Sequence, residues 1–135
     1  MSTSHEALVS IGTDHFLTTA YARSHRLTAD EPAALGGTDA GPTPYELLLA
    51  SLGACTLITL RMYADRKNWP LERAAIALTH TRDDTGRETI SAELEVSGPL
   101  STEQRARLIE IAERCPVHRT LTGDLTIATT LAAEG

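Results

Sequence analysis

The sequence is poor in aromatic residues and has no cluster of basic ones. Its 135 residues include one Trp, three Tyr and one Phe, so aromatics make up 4% of the chain. A surface on which bases stack needs several such rings, and the core must therefore be mostly aliphatic. Lys and Arg number 12 against 18 Asp and Glu, a formal net charge of -6. Because nucleic-acid-binding domains carry a basic face, we expect no nucleic-acid partner.

The sequence also lacks an uncharged run long enough to cross a membrane. Residues 1–12 show no basic stretch followed by an apolar one, so no secretion signal is expected. The longest uncharged run, residues 47–60, has 14 residues, whereas a transmembrane helix needs about 20. We therefore expect a cytoplasmic protein without a membrane partner, folded as a single domain over residues 1–135.

Cysteine is scarce, with Cys55 and Cys115 separated by 60 positions. No C-x-x-C motif accompanies them and the histidines show no ligand spacing, so the sequence predicts no metal site. In the cytoplasm such thiols stay reduced by default, which argues against a structural disulfide.

Strand patterns stand before and after a central helical stretch, and the order of elements indicates an α+β fold. A loop rich in proline and glycine is expected over residues 30–43. The predicted strands are antiparallel and rich in threonine and aliphatic residues. They cover residues 8–11, 16–22, 25–29, 75–81, 89–96 and 121–131.

Two helices are predicted from their start and stop signals. The first begins at Pro44 with Thr43 as N-cap and runs to about Lys67. The second begins at Ser101 and continues to Cys115, because the following proline disfavours helix at that residue. Residues 47–60 of the first helix are apolar on all sides, and such a helix must be covered on all sides. Either tight packing within the chain or a homodimer would meet that need.

The cysteines occupy apolar positions of their helices. Cys55 shares a face with Leu52 and Met62, and Cys115 continues the stripe of the second helix. Taken alone, each is a small buried hydrophobe. Taken together, two inward thiols in one core can meet and cycle with a disulfide. His118 also permits a Cys–His pair on paper, but no G-x-S-x-G or oxyanion motif supports a hydrolase.

Two segments carry a family resemblance: GPTPYELLLASLGACTLITLRMYADRKNWP at 41–70 and RCPVHRTL at 114–121. They resemble the OsmC/Ohr family of thiol-dependent hydroperoxide reductases. The resemblance implies an OsmC-like fold, with an antiparallel sheet, a long buried central helix and a second helix. It also implies an intertwined homodimer with active sites at the subunit interface.

The same resemblance implies the chemistry. Cys55 corresponds to the peroxidatic cysteine, which reduces an organic hydroperoxide and becomes a sulfenic acid, and Cys115 to the resolving cysteine, which forms the Cys55–Cys115 disulfide. No metal, flavin or haem is implied, and the expected reductant is an external lipoyl-type dithiol. A dimer of this fold that binds a small apolar ligand or senses oxidants is the alternative.

The sequence departs from the family at the residues that activate the peroxidatic thiol. The family has a glutamate ten residues before that cysteine, where this chain has Tyr45. Glu46 is expected to act instead as a favourable charge in the first helical turn. The family arginine has no match within residues 30–43, which leaves Arg23 and Arg26 as the nearest upstream candidates. Arg26, on the strand that leads into the loop, is the first choice. Arg26 and Tyr45 are therefore the predicted supporting residues.

Overall fold

The central helix, α1, covers Pro44–Lys67 as predicted. Thr43 and Glu46 form a capping box, in which Glu46 N donates to Thr43 Oγ1 at 3.2 Å and Thr43 N donates to Glu46 Oε1 at 2.8 Å. The helix ends where Asn68 adopts a left-handed conformation with φ of 58°. The predicted N-cap and the predicted place of Glu46 in the first turn are both confirmed.

The computed structural model describes residues 4–133. The chain divides into two compact units, Met1–Ala50 (unit 1) and Ser51–Gly135 (unit 2), with the boundary inside α1. Each unit is described separately.

Unit 1 contains a three-stranded antiparallel sheet in the order β1-β2-β3. The strands confirm the predicted meander, with β2 starting two residues later than expected. The pairing sets Val9 of β1 opposite Ala20 of β2, and Ala20 opposite Leu27 of β3. The strands are β1 (Leu8–Ile11), β2 (Thr18–Ala22) and β3 (His25–Ala29).

The predicted loop over residues 30–43 is folded around the carboxylate of Asp30, which is 2% exposed. Its Oδ1 accepts from Glu31 N at 2.8 Å, and its Oδ2 accepts from Thr38 Oγ1 at 2.7 Å and Ala40 N at 3.1 Å. These hydrogen bonds, that of the Thr38 hydroxyl first, hold the pKa of Asp30 below its ordinary value. One carboxylate therefore organises the loop.

Unit 2 contains the rest of α1, a β-hairpin and two further helices. Strands β4 (Arg73–Arg82) and β5 (Glu88–Ser97) pair antiparallel over their full length and extend beyond the predicted segments. Gly53 of α1 lies close to this hairpin, because a Cβ there would be 2.9 Å from Leu78 Cδ1. The core of unit 2 consists of Leu60, Ala64, Leu71, Leu108 and Ile111.

The end of the chain differs from the sequence prediction. Helix α2 (Thr102–Ala112) has the expected capping box at Ser101 but stops three residues before Cys115. Pro116 does not simply end that helix; it is the first residue of another, α3 (Pro116–Thr122). The predicted strand over residues 121–131 is wrong: residues 121 and 122 are helical, and 124–131 form no strand in the described chain.

The faces of α1 differ in exposure. Leu52, Thr56 and Leu60 lie on its buried face within unit 2, while Ile58 and Met62 are 59% and 62% exposed. By length and composition α1 could cross a membrane, a test that core helices also pass, and its packed face is that of a core helix. The helix is thus covered on one side only within the single chain.

Candidate active site

Cys55 lies at the edge of the buried face of α1. Cys55 is half-buried, whereas the next residue in the chain, Thr56, is buried. The predicted stripe through Cys55 is therefore rotated from the observed one: Met62, expected inward, is exposed. Cys55 is therefore the more exposed of the two cysteines.

Cys115 lies in the turn between α2 and α3 and is fully buried, with 0% exposure. It is the N-cap of α3, and its Sγ accepts a hydrogen bond from His118 N at 3.4 Å. Pro116 follows at the first helical position, where the missing N–H costs nothing. The sulfur thus takes the place that a Ser or Asp oxygen occupies at most helix starts.

Both sulfurs contact the first turn of α3. Val117 N donates to Cys55 Sγ at 3.5 Å, while the next amide, His118 N, donates to Cys115 Sγ. These amides have no partner within the helix, and each is satisfied by a different cysteine. Both cysteines are free thiols in this structure. The structure therefore brings both cysteines to the start of α3, with Cys115 in the core and Cys55 half-buried beside it.

Thr56 is part of this arrangement and was missed by the sequence interpretation. Its hydroxyl donates to Leu52 O at 2.9 Å and lies 3.6 Å from Cys115 Sγ. Because a hydroxyl has a single proton, the first bond leaves only lone pairs facing the sulfur. With the hydroxyl proton on Leu52 O, the Cys115 S–H can donate to Thr56; with the hydroxyl turned, Thr56 can donate to the sulfur. A threonine on the same turn as a candidate cysteine, able to bond back to the helix, was the available signal.

The two thiols consequently have different surroundings. Cys115 is fully buried, and its sulfur contacts the His118 amide and the Thr56 hydroxyl. Cys55 is half-buried and accepts an amide hydrogen bond, an interaction that strengthens when the sulfur is negatively charged. The geometry suits Cys55 as the sulfur that reacts first.

A cavity of about 160 Å³ in unit 2 adjoins this cluster. Thr56 and His118 contribute to its wall, together with mainly aliphatic side chains from α1, α2 and the hairpin. His118 contacts Cys115 through its backbone amide. The structure thus gives no support to a Cys–His pair.

Arg26 and Tyr45 both belong to unit 1. Arg26 is an exposed residue of β3 opposite Tyr21, and Tyr45 lies in the first turn of α1 with 48% exposure. Their supporting roles stay predictions. Within residues 4–133, no group of three or more His, Cys, Asp or Glu side chains is arranged to hold a metal ion.

A family model described as OsmC-like protein matches residues 37–130, a span that holds both cysteines. The chain belongs to the OsmC-like protein family. The resemblance seen in the two sequence segments is thereby confirmed, although no curated protein sequence matches the chain.

Solved structures of OsmC-like proteins share the fold. An OsmC-like protein from Mycoplasma pneumoniae superimposes with a TM-score of 0.79 at 26% identity, covering 91% of this chain and 90% of that one. An organic hydroperoxide resistance protein OsmC from Legionella pneumophila has a TM-score of 0.67 at 20% identity, with 90% of each chain covered. One from Elizabethkingia anophelis, crystallised with thiocyanate, has a TM-score of 0.68 at 18% identity, covering 92% and 91%. The α+β fold expected for this OsmC-like chain is therefore confirmed.

Proposed function

We propose that this OsmC-like protein is a thiol peroxidase that reduces organic hydroperoxides. One observation supports it above the others: consecutive amides of α3 hold the half-buried Cys55 and the buried Cys115 at one place. A broader role in redox stress is supported by the family and by similarity to proteins named for organic hydroperoxide resistance.

In the proposed reaction, the Cys55 thiolate attacks the terminal oxygen of the hydroperoxide. The O–O bond breaks, the alcohol leaves with a proton, and Cys55 becomes a sulfenic acid. The Cys115 sulfur then displaces the hydroxyl group, so the S–S bond forms and water leaves with the Cys115 proton. An external dithiol of the lipoyl type reduces the disulfide and is itself oxidised to a cyclic disulfide.

Activation of Cys55 uses groups that the chain itself supplies. An ordinary cysteine is only a few per cent thiolate at neutral pH, so a stabilising group raises the reactive fraction. The Val117 amide is one such group, since its N–H already points at Cys55 Sγ. We propose Arg26 and Tyr45 as the further supporting residues, in place of the arginine and glutamate of other family members.

The functional unit that we propose is an intertwined homodimer. Apolar side chains are exposed on one face of α1, at Ile58 and Met62. In the C-terminal segment Ile127 is 81% exposed and Leu131 98%. Exposed apolar surface of this extent is typical of an interface. A second copy would cover the open side of α1 and offer strand partners to residues 124–131.

We propose that the protein works in the cytoplasm without metal, flavin or haem, and without a nucleic-acid or membrane partner. The acidic net charge of -6 supports the absence of a nucleic-acid partner. The hydroperoxide is expected to be organic, since the cavity that Thr56 and His118 help to line is otherwise mainly aliphatic.

Steady-state turnover tests the peroxidase proposal. Purified protein is mixed with cumene hydroperoxide and dihydrolipoamide, and hydroperoxide loss is followed for the parent, Cys55→Ser and Cys115→Ser. Loss should be catalytic for the parent and absent for Cys55→Ser. Turnover that is equal in the parent and Cys55→Ser would contradict the proposal.

A second candidate function is binding of a small apolar ligand or sensing of oxidants without turnover. It is favoured by a cavity of about 460 Å³ in unit 1, with Val9, Ile11 and Phe16 among its mainly apolar lining. That volume lies within the range of small-molecule sites. Saturable binding of a fluorescent apolar probe, unaffected by Cys55→Ser and without hydroperoxide turnover, would favour this role over the first.

A further inference from the structure

We propose that Thr56 is a positioning residue for Cys115 and sets the rate at which the disulfide forms. The inference rests on the proposed peroxidase function and adds a residue to it. Thr56 Oγ1 lies within hydrogen-bonding distance of both Leu52 O, at 2.9 Å, and Cys115 Sγ, at 3.6 Å. Its single proton can therefore serve either acceptor without movement of a heavy atom.

In the resting state the hydroxyl proton points to Leu52 O and the Cys115 thiol donates to the hydroxyl oxygen. Disulfide formation requires the Cys115 thiolate, because the thiolate is the nucleophile. A thiolate at a fully buried position has no water to solvate it, and its charge must be stabilised by protein donors. Two are in place: the His118 amide and, once it turns, the Thr56 hydroxyl.

Turning the Thr56 hydroxyl away from Leu52 O costs little free energy. In an α-helix the carbonyl of Leu52 also accepts the backbone N–H of Thr56, four residues later. Leu52 O therefore keeps a hydrogen bond when the hydroxyl leaves it. The gain is larger, since a hydrogen bond to an ion is roughly twice as strong as one between neutral groups.

Thr56 could also be a packing residue and nothing more. Thr56 is 4% exposed, and its hydroxyl donates to Leu52 O within the helix. This ordinary helical hydrogen bond would satisfy the hydroxyl proton without any role for Cys115. A valine has nearly the same shape and would fill the same space. The two interpretations therefore differ in what happens to Cys115 chemistry when the hydroxyl is replaced by a methyl group.

The test measures disulfide formation separately from the reaction with peroxide. Reduced protein is mixed with one equivalent of cumene hydroperoxide and quenched with acid at increasing times, at several pH values. Intact mass distinguishes the sulfenic acid, which has gained one oxygen atom, from the disulfide, which has lost two hydrogen atoms. The proteins compared are the parent, Thr56→Val, Thr56→Ser and Thr122→Val.

Thr122→Val is the matched control. The Thr122 hydroxyl donates to His118 O at 2.9 Å, four residues back, as Thr56 does to Leu52. It is exposed, and the described contacts give it no sulfur partner. The control therefore reports the loss of a helix hydroxyl without the proposed effect.

For Thr56→Val we expect disulfide formation to slow about tenfold near neutral pH, with its pH profile displaced to higher pH. Sulfenic acid should accumulate at the parent's rate, which also shows that the variant is folded. Thr56→Ser should restore disulfide formation, and Thr122→Val should resemble the parent. Equal pH profiles for Thr56→Val and the parent, or equal slowing in Thr56→Val and Thr122→Val, would overturn the proposal.

A second measurement does not depend on peroxide. In a Cys55→Ser background, ionisation of Cys115 is followed by the ultraviolet absorbance of thiolate, with and without Thr56→Val. Removal of the hydroxyl should move this absorbance change to higher pH, because the thiolate loses a donor, and an unchanged curve would refute the role of Thr56. If the parent gains no oxygen from hydroperoxide while this shift is seen, the peroxidase proposal fails and the interaction between Thr56 and Cys115 stands.

Discussion

The core position of Leu60 gives a stability prediction that follows directly from the packing. Leu60 is 0% exposed and contacts a cluster that includes Leu71, Leu108 and Ile111. Leu60→Ala removes buried methyl groups and leaves a cavity, which costs about 3 kcal/mol. For a chain of 135 residues, about 3 °C per kcal/mol gives a fall of about 10 °C in Tm.

Thermal unfolding followed by circular dichroism measures this change, and urea unfolding gives the free energy independently. A fall in Tm below about 3 °C would refute the assignment of Leu60 to the core. Ile58→Ala is the companion variant, since Ile58 is on the same helix but 59% exposed. Its cost should stay below about 0.5 kcal/mol in a monomer. A larger cost that depends on protein concentration is expected if a second copy covers that face.

Three further predictions concern single contacts. Asp30→Asn places an amide NH₂ group among N–H donors, so amide exchange at Thr38 and Ala40 should accelerate at neutral pH. Because the pKa of Asp30 is lowered, its stabilisation is present above the ordinary carboxyl pKa and is lost as the pH falls through the folded-state pKa. Asp30→Asn should therefore flatten the acid limb of a stability profile, and an unchanged limb would contradict this. Arg107 Nε donates to Tyr63 OH at 3.1 Å, and this hydrogen bond lowers the pKa of Tyr63. Arg107→Leu should therefore raise the ionisation midpoint of Tyr63 in an absorbance titration. An unchanged midpoint would count against the hydrogen bond between Arg107 and Tyr63. Gly37→Ala would place its Cβ against the Glu31 carbonyl oxygen and should open the loop. Amide hydrogen exchange at Ala40 should then be faster. Unchanged exchange would refute the close approach of Gly37 to the Glu31 carbonyl.

Local signals in the sequence predicted the start of α1 at Pro44 and its end at about Lys67. Proline at the first position, Thr43 as cap and Asn68 after the last turn are all written in the sequence and need no distant partner. The same holds for Ser101 and Gln104 at the start of α2. Such signals act over three or four residues, which is why they could be found without the structure.

The C-terminal strand could not be predicted in the same way. Residues 121–131 have the threonine-rich composition of a strand, but a strand exists only when an edge is available to pair with it. Within the described single chain these residues find none. From the sequence, Pro116 could either end one helix or start the next. In the structure it is the first residue of α3, and the buried Cys115 is the N-cap of that helix.

The two cysteines of the candidate site could be predicted from the sequence, but the residues that surround them could not. Cys55 and Cys115 were found from their apolar positions and from the family resemblance. Thr56 was missed because a helical wheel tells which side a residue faces and not which atom it meets. The observed face of α1, rotated toward Leu52, Thr56 and Leu60, became visible only with the packing against the hairpin and α2.

Single-turnover mass spectrometry shows whether Cys55 and Cys115 form a redox pair that a hydroperoxide oxidises. Reduced protein receives one equivalent of cumene hydroperoxide, and its intact mass and peptide map are measured. We predict the loss of two hydrogen atoms, a peptide that joins Cys55 to Cys115, and a Cys115→Ser variant that stops at the sulfenic acid. An unchanged mass with unreacted hydroperoxide, or the same change in Cys55→Ser, would contradict the account.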